Sequence, residues 1–448
     1  MQISFQLYDI INSYSMHRKI IPSEQSIKAT IFIPGSKSHT NRMLIIASLA
    51  EGTSILRNIS LGDDSKVLLE ALQRLGVHVD IQENTAIVHG TGGRFFPYSG
   101  EIDVDAAGTS MRFLTSLCSL VEGDIILKGS ERMHERPIKD LVDALQQLGV
   151  SIEYLGKEGC PPLRIKGRKN ILQKEISING STSSQFVSSL LMVAPYFNQD
   201  IHLTIVGKQV SASYKELTLD SMKEAGAKVD LVQKDCYRIS SAHTYRAQDV
   251  VIEGDGSGAS YFWGLAAMSG SDITVKNISI HSLQGDVQFV HILETMGCSV
   301  SSGNTEGADW IRVQGPQTLR GTKTNMELLP DSAQTLAVVA SVAEGNTEIT
   351  GLSTLKVKET DRLEALHTEL LKVGILSTIT EDSITISGGT PHGAQIATYK
   401  DHRMAMSFAL LGSVCDQIVI EDAEVVSKSF PQFWDMLSEV GVSSKIIS

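Results

Sequence analysis

Apolar and polar positions along this chain repeat one order six times. A polar start leads into an amphipathic stretch that closes on Leu-Gly, Met-Gly, Ala-Gly or Val-Gly, and a short β-rich run follows. The copies are DDSKVLLEALQRLGVHVDI (63–81), IKDLVDALQQLGVSIEYL (138–155), YKELTLDSMKEAGAKVDLV (214–232), QGDVQFVHILETMGCSV (284–300), KETDRLEALHTELLKVGIL (358–376) and KSFPQFWDMLSEVGVSS (428–444). Their closing glycines, Gly76, Gly149, Gly226, Gly297, Gly374 and Gly441, are spaced 73, 77, 71, 77 and 67 residues apart. In the second copy Leu141, Leu145 and Leu148 fall at i, i+4 and i+7, which predicts one apolar helix stripe. A glycine just past the stripe suits the left-handed turn that ends a helix. The alternating residues after it read as a strand. Runs such as ISINGSTSSQFVSSLLMVAPYF and DVVIEGDGSGASYFWGLAAM supply another strand–helix pair, so each period reads β-α-β-α-β-β. One such unit has apolar helices on more than one face and needs neighbours to cover them. Three units make a compact domain and six make two.

Composition narrows the picture. The chain has 448 residues, 42% hydrophobic and 20% charged, an ordinary globular balance that excludes disorder, collagen and coiled coil. Its net charge of −12 argues against nucleic acid or an anionic membrane as partner, so any anion site must be local. The cysteines Cys118, Cys160, Cys236, Cys298 and Cys415 form no C-x-x-C and suit a reducing compartment. The start lacks the order of a signal peptide, and no stretch reaches the ~20 apolar residues of a membrane span. A cytoplasmic chain is expected.

Candidate chemistry lies at the polar starts of apolar helices, where free N–H groups and the helix dipole favour anions. Pro34–Arg42 (PGSKSHTNR) adds Lys37 and Arg42 to such a start, or is an ordinary Ser-capped helix. Asp105–Arg112 holds Gly108, which permits close approach of a ligand or is purely structural. Arg132–Ile138 (RMHERPI) packs two arginines and a histidine, which bind an anion or pair with Glu131 and Glu135. Ser181–Gln185 offers more hydroxyls than one cap requires, and Ser211 with Tyr214 forms a comparable turn. Asp331 reads most economically as an N-cap, and otherwise as a carboxylate able to take a substrate proton. Lys358 and Arg362, at i and i+4, are expected on one helix face, where like charges repel unless an anion or Asp361 and Glu364 intervene. His402 stands between Asp401 and Arg403, and Lys428 sits at a last helix entry.

In this order PGSKSHTNR, ERPIKDLVDAL, SSQFVSSLLM, VKETDR and DHRMAM resemble the EPSP synthase (3-phosphoshikimate 1-carboxyvinyltransferase) family from about Ile33 to Pro431. The resemblance implies an α/β enolpyruvyl transferase fold, an inside-out α/β barrel of two similar domains with three βαβαββ units each. The domains would be 1–34 plus 254–448 and 35–253, with the active site in the cleft between them. It implies transfer of the enolpyruvyl group of phosphoenolpyruvate to the 5-hydroxyl of shikimate 3-phosphate, with no cofactor or metal, in a monomer. Shikimate 3-phosphate would meet Lys37, Ser38, Arg42, Ser183, Ser184, Gln185, Ser211, Tyr214, Asp331, Thr354 and Lys358. Phosphoenolpyruvate would meet Lys37, Gly108, Arg132, Gln185, Arg362, Arg403 and Lys428. Asp331 would be the base and Glu359 the acid, with Lys37 and His402 close by.

Three positions depart from the family pattern: Ala106 replaces an Asn, Phe113 a Pro, and Thr354 an Asn. Activity is expected to survive them. Gln6 to Gln25 matches nothing specific and is expected to be a loose extension. The rival within the fold is UDP-N-acetylglucosamine enolpyruvyl transferase, whose loop cysteine has no counterpart in Arg132–Pro137. The rival outside catalysis is a phosphometabolite-binding protein. Gathering so many cations before substrate arrives is costly, so the free chain is expected to be open and to close on the first anion. Small-angle scattering should therefore show a smaller radius of gyration once shikimate 3-phosphate is added; an unchanged value would rule closure out.

Overall fold

The computed structural model describes residues 16–23, 26–167 and 170–447. They form two compact units. An N-terminal unit comprises Ile33–Gly256 and His281–Gly285, and a C-terminal unit the described residues of Met1–Phe32, Ser257–Ile280 and Asp286–Ser448.

The N-terminal unit carries helices α1 (Lys37–Leu49), α2 (Asp63–Arg74), α3 (Gly108–Cys118), α4 (Lys139–Gln147), α5 (Ser184–Val193) and α6 (Ala212–Glu224). The C-terminal unit carries α7 (Gly256–Ser269, from its second residue), α8 (Phe289–Thr295), α9 (Ala333–Ala340), α10 (Arg362–Lys372), α11 (His402–Leu411) and α12 (Phe433–Glu439). They alternate in character. In α3, α9 and α11 every residue is buried, whereas α4 buries only Leu141, Val142, Ala144 and Leu145. This follows from sequence: LAVVA and FLTSLC carry no charge on any face, while KDLVDALQQ has one apolar stripe.

The fully buried helices form the centre of each unit. Ser189 of α5 donates to the Arg112 carbonyl of α3 at 2.6 Å, and Arg42 of α1 donates to Ser188 of α5 at 3.1 Å. In the other unit Thr335 of α9 is shared by Ser260 of α7 and Ser407 of α11, each at 3.4 Å. Small hydroxyl residues satisfy one another there and let the backbones approach.

Six four-stranded sheets cover these helices, three in each unit. Their strands alternate buried and exposed positions, as in Glu175–Asn179 and Ile384–Ser387, so one face packs inward and the other meets water. All six share one order. A first strand lies parallel to the second, and the second pairs antiparallel with the fourth, which pairs antiparallel with the third; Gly100–Asp103, Ile125–Lys128, Leu163–Lys166 and Ser151–Tyr154 are an instance. This is the six-copy β-α-β-α-β-β plan. Each closing glycine has positive φ, between 81° and 105°, a region where a side chain would be strained.

The copies are not all contiguous. Asp249–Val251 supplies the first strand of the sheet built on Glu51–Arg57, and Lys28–Phe32 does the same for Asp272–Lys276. His17–Ile20 sits inside a sheet between Val419–Ile420 and Ser444–Ile447. That corrects the expectation of a loose extension for its described part: Ile20 is wholly buried and Arg18 lies 5.0 Å from the Trp434 ring. The rest of that expectation, residues 6–15, 24 and 25, lies outside the described residues.

Candidate active site

The predicted residues fall into two polar groups, one in each unit. In the N-terminal unit they stand at helix starts. Ser36 caps α1, accepting from the His39 N–H at 3.4 Å, and the Lys37 N–H donates to Asp255 at 3.0 Å. The Lys37 ammonium is 2.8 Å from Asp64 at the start of α2. Ser183 caps α5, and Gln185 reaches across to donate to Thr109 of α3 at 3.1 Å. Ser211 precedes α6 in the left-handed region at φ 49°. Ser38 occupies the first turn of α1, and Ser184 opens α5.

Arg42 is the deep member of this group. It is wholly buried, donating to Thr218 at 2.7 Å, Ser188 at 3.1 Å, and the carbonyls of Ser38 and Tyr214 at 2.8 and 3.2 Å. The Phe113 and Tyr214 rings lie 5.4 and 5.5 Å from its guanidinium carbon. Burial lowers its pKa to about 10, so it stays charged at neutral pH and pins α1 to α5 and α6. The Phe113 departure thus supplies an aromatic face beside the cation. Burial, reinforced by Arg42, brings His39 down to about 4 and leaves it neutral.

The loop Arg132–Pro137 holds two arginines. Arg132, the expected anion ligand, has a side chain 39% exposed and 2.7 Å from Glu135. Arg136 is the buried arginine, and its guanidinium lies against Gly108, where an added Cβ would stand 2.6 Å from Nη1. Arg132 immediately precedes the 3-10 turn Met133–Glu135, and Arg112 ties the loop to α3 by donating to the Gly108 and Pro137 carbonyls.

In the C-terminal unit the carboxylates and cations converge closely. Asp331 lies in the 3-10 turn Pro330–Ser332 and makes no capping bond; the cap of α9 is Ser332. Its carboxylate accepts from Arg362 at 3.1 Å and from Arg403 at 2.9 Å, with the Lys358 ammonium at 3.5 Å. Arg362 also donates to Glu359 at 2.8 Å and to Asp401 at 2.7 Å. Burial alone would lower the Arg362 pKa, but Asp401, Glu359 and Asp331 together hold it above its ordinary value. Arg403 extends to the Tyr261 hydroxyl at 3.3 Å.

A second correction concerns Lys358 and Arg362, which do not share a helix face. Asp361 caps α10 by accepting from the Glu364 N–H, so the helix begins at Arg362 and Lys358 stays in extended backbone before it. The two cations meet at Asp331 instead. Asp401, named in sequence only as a flank of His402, fixes this corner: it caps α11 and holds the Arg362 fork. His402 is almost wholly buried, 3.8 Å from Asp401. Thr354 lies in the turn Ser353–Val357, and Lys428 ends the turn Ala423–Lys428.

Comparison with known proteins bears on the family and the fold. The family described as EPSP synthase (3-phosphoshikimate 1-carboxyvinyltransferase) matches residues 21–437. The 3-phosphoshikimate 1-carboxyvinyltransferase of Marinomonas sp. (strain MWYL1) is 40% identical over 415 residues, 92% of this chain and 96% of that one. That of Methanoregula boonei is 40% identical over 424 residues, 94% and 99% of the two chains. Among solved structures, an EPSP synthase from Acinetobacter baumannii superposes with a TM-score of 0.82 at 26% identity, covering 97% of this chain and all of that one.

Proposed function

This chain belongs to the EPSP synthase (3-phosphoshikimate 1-carboxyvinyltransferase) family, and from that premise we propose how its own residues carry the enolpyruvyl transfer from phosphoenolpyruvate to shikimate 3-phosphate. The observation that carries the assignment is the carboxylate of Asp331 enclosed by Arg362, Arg403 and Lys358, with Glu359 on the same guanidinium. Three cations surround the Asp331 carboxylate, and the proposal makes it the acceptor of the hydroxyl proton.

In the proposed reaction the 5-hydroxyl oxygen bonds to C2 of phosphoenolpyruvate while its proton passes to Asp331. Glu359 gives a proton to the methylene carbon, forming a methyl group and a tetrahedral adduct. Elimination then breaks the bond from C2 to the phosphate oxygen, the methyl group returns a proton to Glu359, and Asp331 passes its proton to the departing phosphate. Substrate anions compete with Asp331 and Glu359 for the Arg362 and Arg403 donors, which frees the carboxylates for this exchange. Each charged hydrogen bond contributes about 1.5–3 kcal/mol, and donors fixed beforehand need no reorganisation.

The helix-start group of the N-terminal unit supplies the remaining ligands. Ser38, Ser183, Ser184, Ser211 and Tyr214 are assigned to shikimate 3-phosphate, and Arg42 holds their helices in register. Lys37, Gly108, Arg132 and Gln185 are assigned to phosphoenolpyruvate, with Arg136, which packs against Gly108, added to them. Thr354 and Lys358 are assigned to shikimate 3-phosphate and Lys428 to phosphoenolpyruvate, with His402 at the start of α11. The chain is assigned to the cytoplasm as a monomer with neither nucleic acid nor membrane as partner. Its five thiols are free and buried, and among the described residues no helix is long and apolar enough to cross a membrane.

Phosphate release from phosphoenolpyruvate tests the reading. Shikimate 3-phosphate should support turnover and UDP-N-acetylglucosamine should not. Release with only the second acceptor, or with neither, would overturn it.

A further inference from the structure

The sheet of the first copy carries a group of side chains that the transfer reaction does not use. His78 and Asp80 lie two residues apart on His78–Gln82 and so project from one face. His89 is directly opposite His78 on the neighbouring strand Thr85–Thr91. The two imidazoles stack with centroids 4.9 Å apart. Both direct Nε2 toward one atom, Asp80 Oδ2, at 3.3 Å from His78 and 3.7 Å from His89. The three ligand atoms lie within 4.8 Å of one another.

We propose that His78, Asp80 and His89 form a surface site for a divalent transition-metal ion of the zinc class. The donor set argues for that class, since two neutral imidazoles and one carboxylate suit Zn²⁺, Cu²⁺ or Ni²⁺ better than the oxygen-seeking Ca²⁺ or Mg²⁺. Bonds of about 2.0–2.1 Å in a tetrahedron set adjacent donors roughly 3.3 Å apart. Both distances to Asp80 are already near that value. The side chains are 70%, 53% and 44% exposed for His78, Asp80 and His89, so small rotations bring the two nitrogens together and leave room for water as the remaining ligand.

A fourth residue supports the arrangement. Thr53, on the strand on the other side of His89, has its hydroxyl 3.0 Å from His89 Nδ1. With the Nδ1–H donated to that oxygen, Nε2 keeps its lone pair for the ion, the usual second contact of a metal-binding histidine. The ion would join two strands of a hairpin and so act on the stability of the N-terminal unit. A sequence signal exists in retrospect: H-x-D on one strand and a histidine at the cross-strand position of the next.

Isothermal titration of Zn²⁺ into the tag-free, EDTA-treated chain should give one ion per chain. His78→Gln and His89→Gln should each weaken binding at least about tenfold, and Thr53→Val by a smaller factor. Saturating Zn²⁺ should raise the melting temperature by about 2–4 °C in the unaltered chain and not in the double histidine variant. All three positions are exposed, so the variants should keep the fold and the rate of phosphate release. No binding to the unaltered chain, or binding undiminished in both histidine variants, would refute the site.

Discussion

Asp331→Asn should lower kcat by about 10²–10⁴-fold, the range expected when a positioned base is removed. The amide keeps the shape of the carboxylate but neither accepts the hydroxyl proton nor offsets the three cations. Lys358 and Arg403 would then face each other without the anion that now separates them, whereas Arg362 would keep Glu359 and Asp401. Binding of shikimate 3-phosphate, whose own anion can take those donors, should hold or tighten. Glu359→Gln should also reduce kcat strongly, through the methylene carbon. Solvent deuterium uptake into phosphoenolpyruvate or product should then fall along with turnover. Steady-state kinetics and binding isotherms separate the two effects. Turnover retained by either variant would remove the role assigned to that residue.

The second large effect is expected at the arginine loop. Arg136→Ala should raise KM for phosphoenolpyruvate by about 10²-fold, in line with loss of one or two charged hydrogen bonds at about 1.5–3 kcal/mol each. Arg132→Ala should raise it to a similar degree, because the exposed Arg132–Glu135 pair contributes only about 0–1 kcal/mol and gives way readily to a substrate anion. Gly108→Ala is the companion test. Its methyl would intrude on the Arg136 guanidinium, the mobile end of a side chain, so the fold should survive while KM for phosphoenolpyruvate rises. An unchanged KM in both arginine variants would remove this loop from the phosphoenolpyruvate site.

That pair of arginines marks where sequence reading stopped. The six-copy plan, the apolar stripe of Leu141 and Leu145 and the left-handed glycines are all local signals, set within one helix and the turn that ends it. Arg132 and Arg136 stand in the same charged run, and nothing in that run shows that Arg136 is buried while Arg132 is partly exposed. The same holds for Lys358 and Arg362. Their spacing suggested a shared helix face, but the Asp361 cap started the helix between them. Convergence of both on Asp331, and the role of Asp401, depend on contacts between residues 27 to 39 positions apart, which no short motif encodes.

The borrowed strands constrain how the chain is made. Glu51–Arg57 waits for Asp249–Val251, and His17–Ile20 waits for Ser444–Ile447. At roughly 5–20 residues per second, a ribosome needs about 20–90 s between making that early strand and making its partner. Until Val419–Ile420 is made the nascent polypeptide must carry His17–Ile20 unpaired, and this sheet of the C-terminal unit is complete only once translation has passed Ile447.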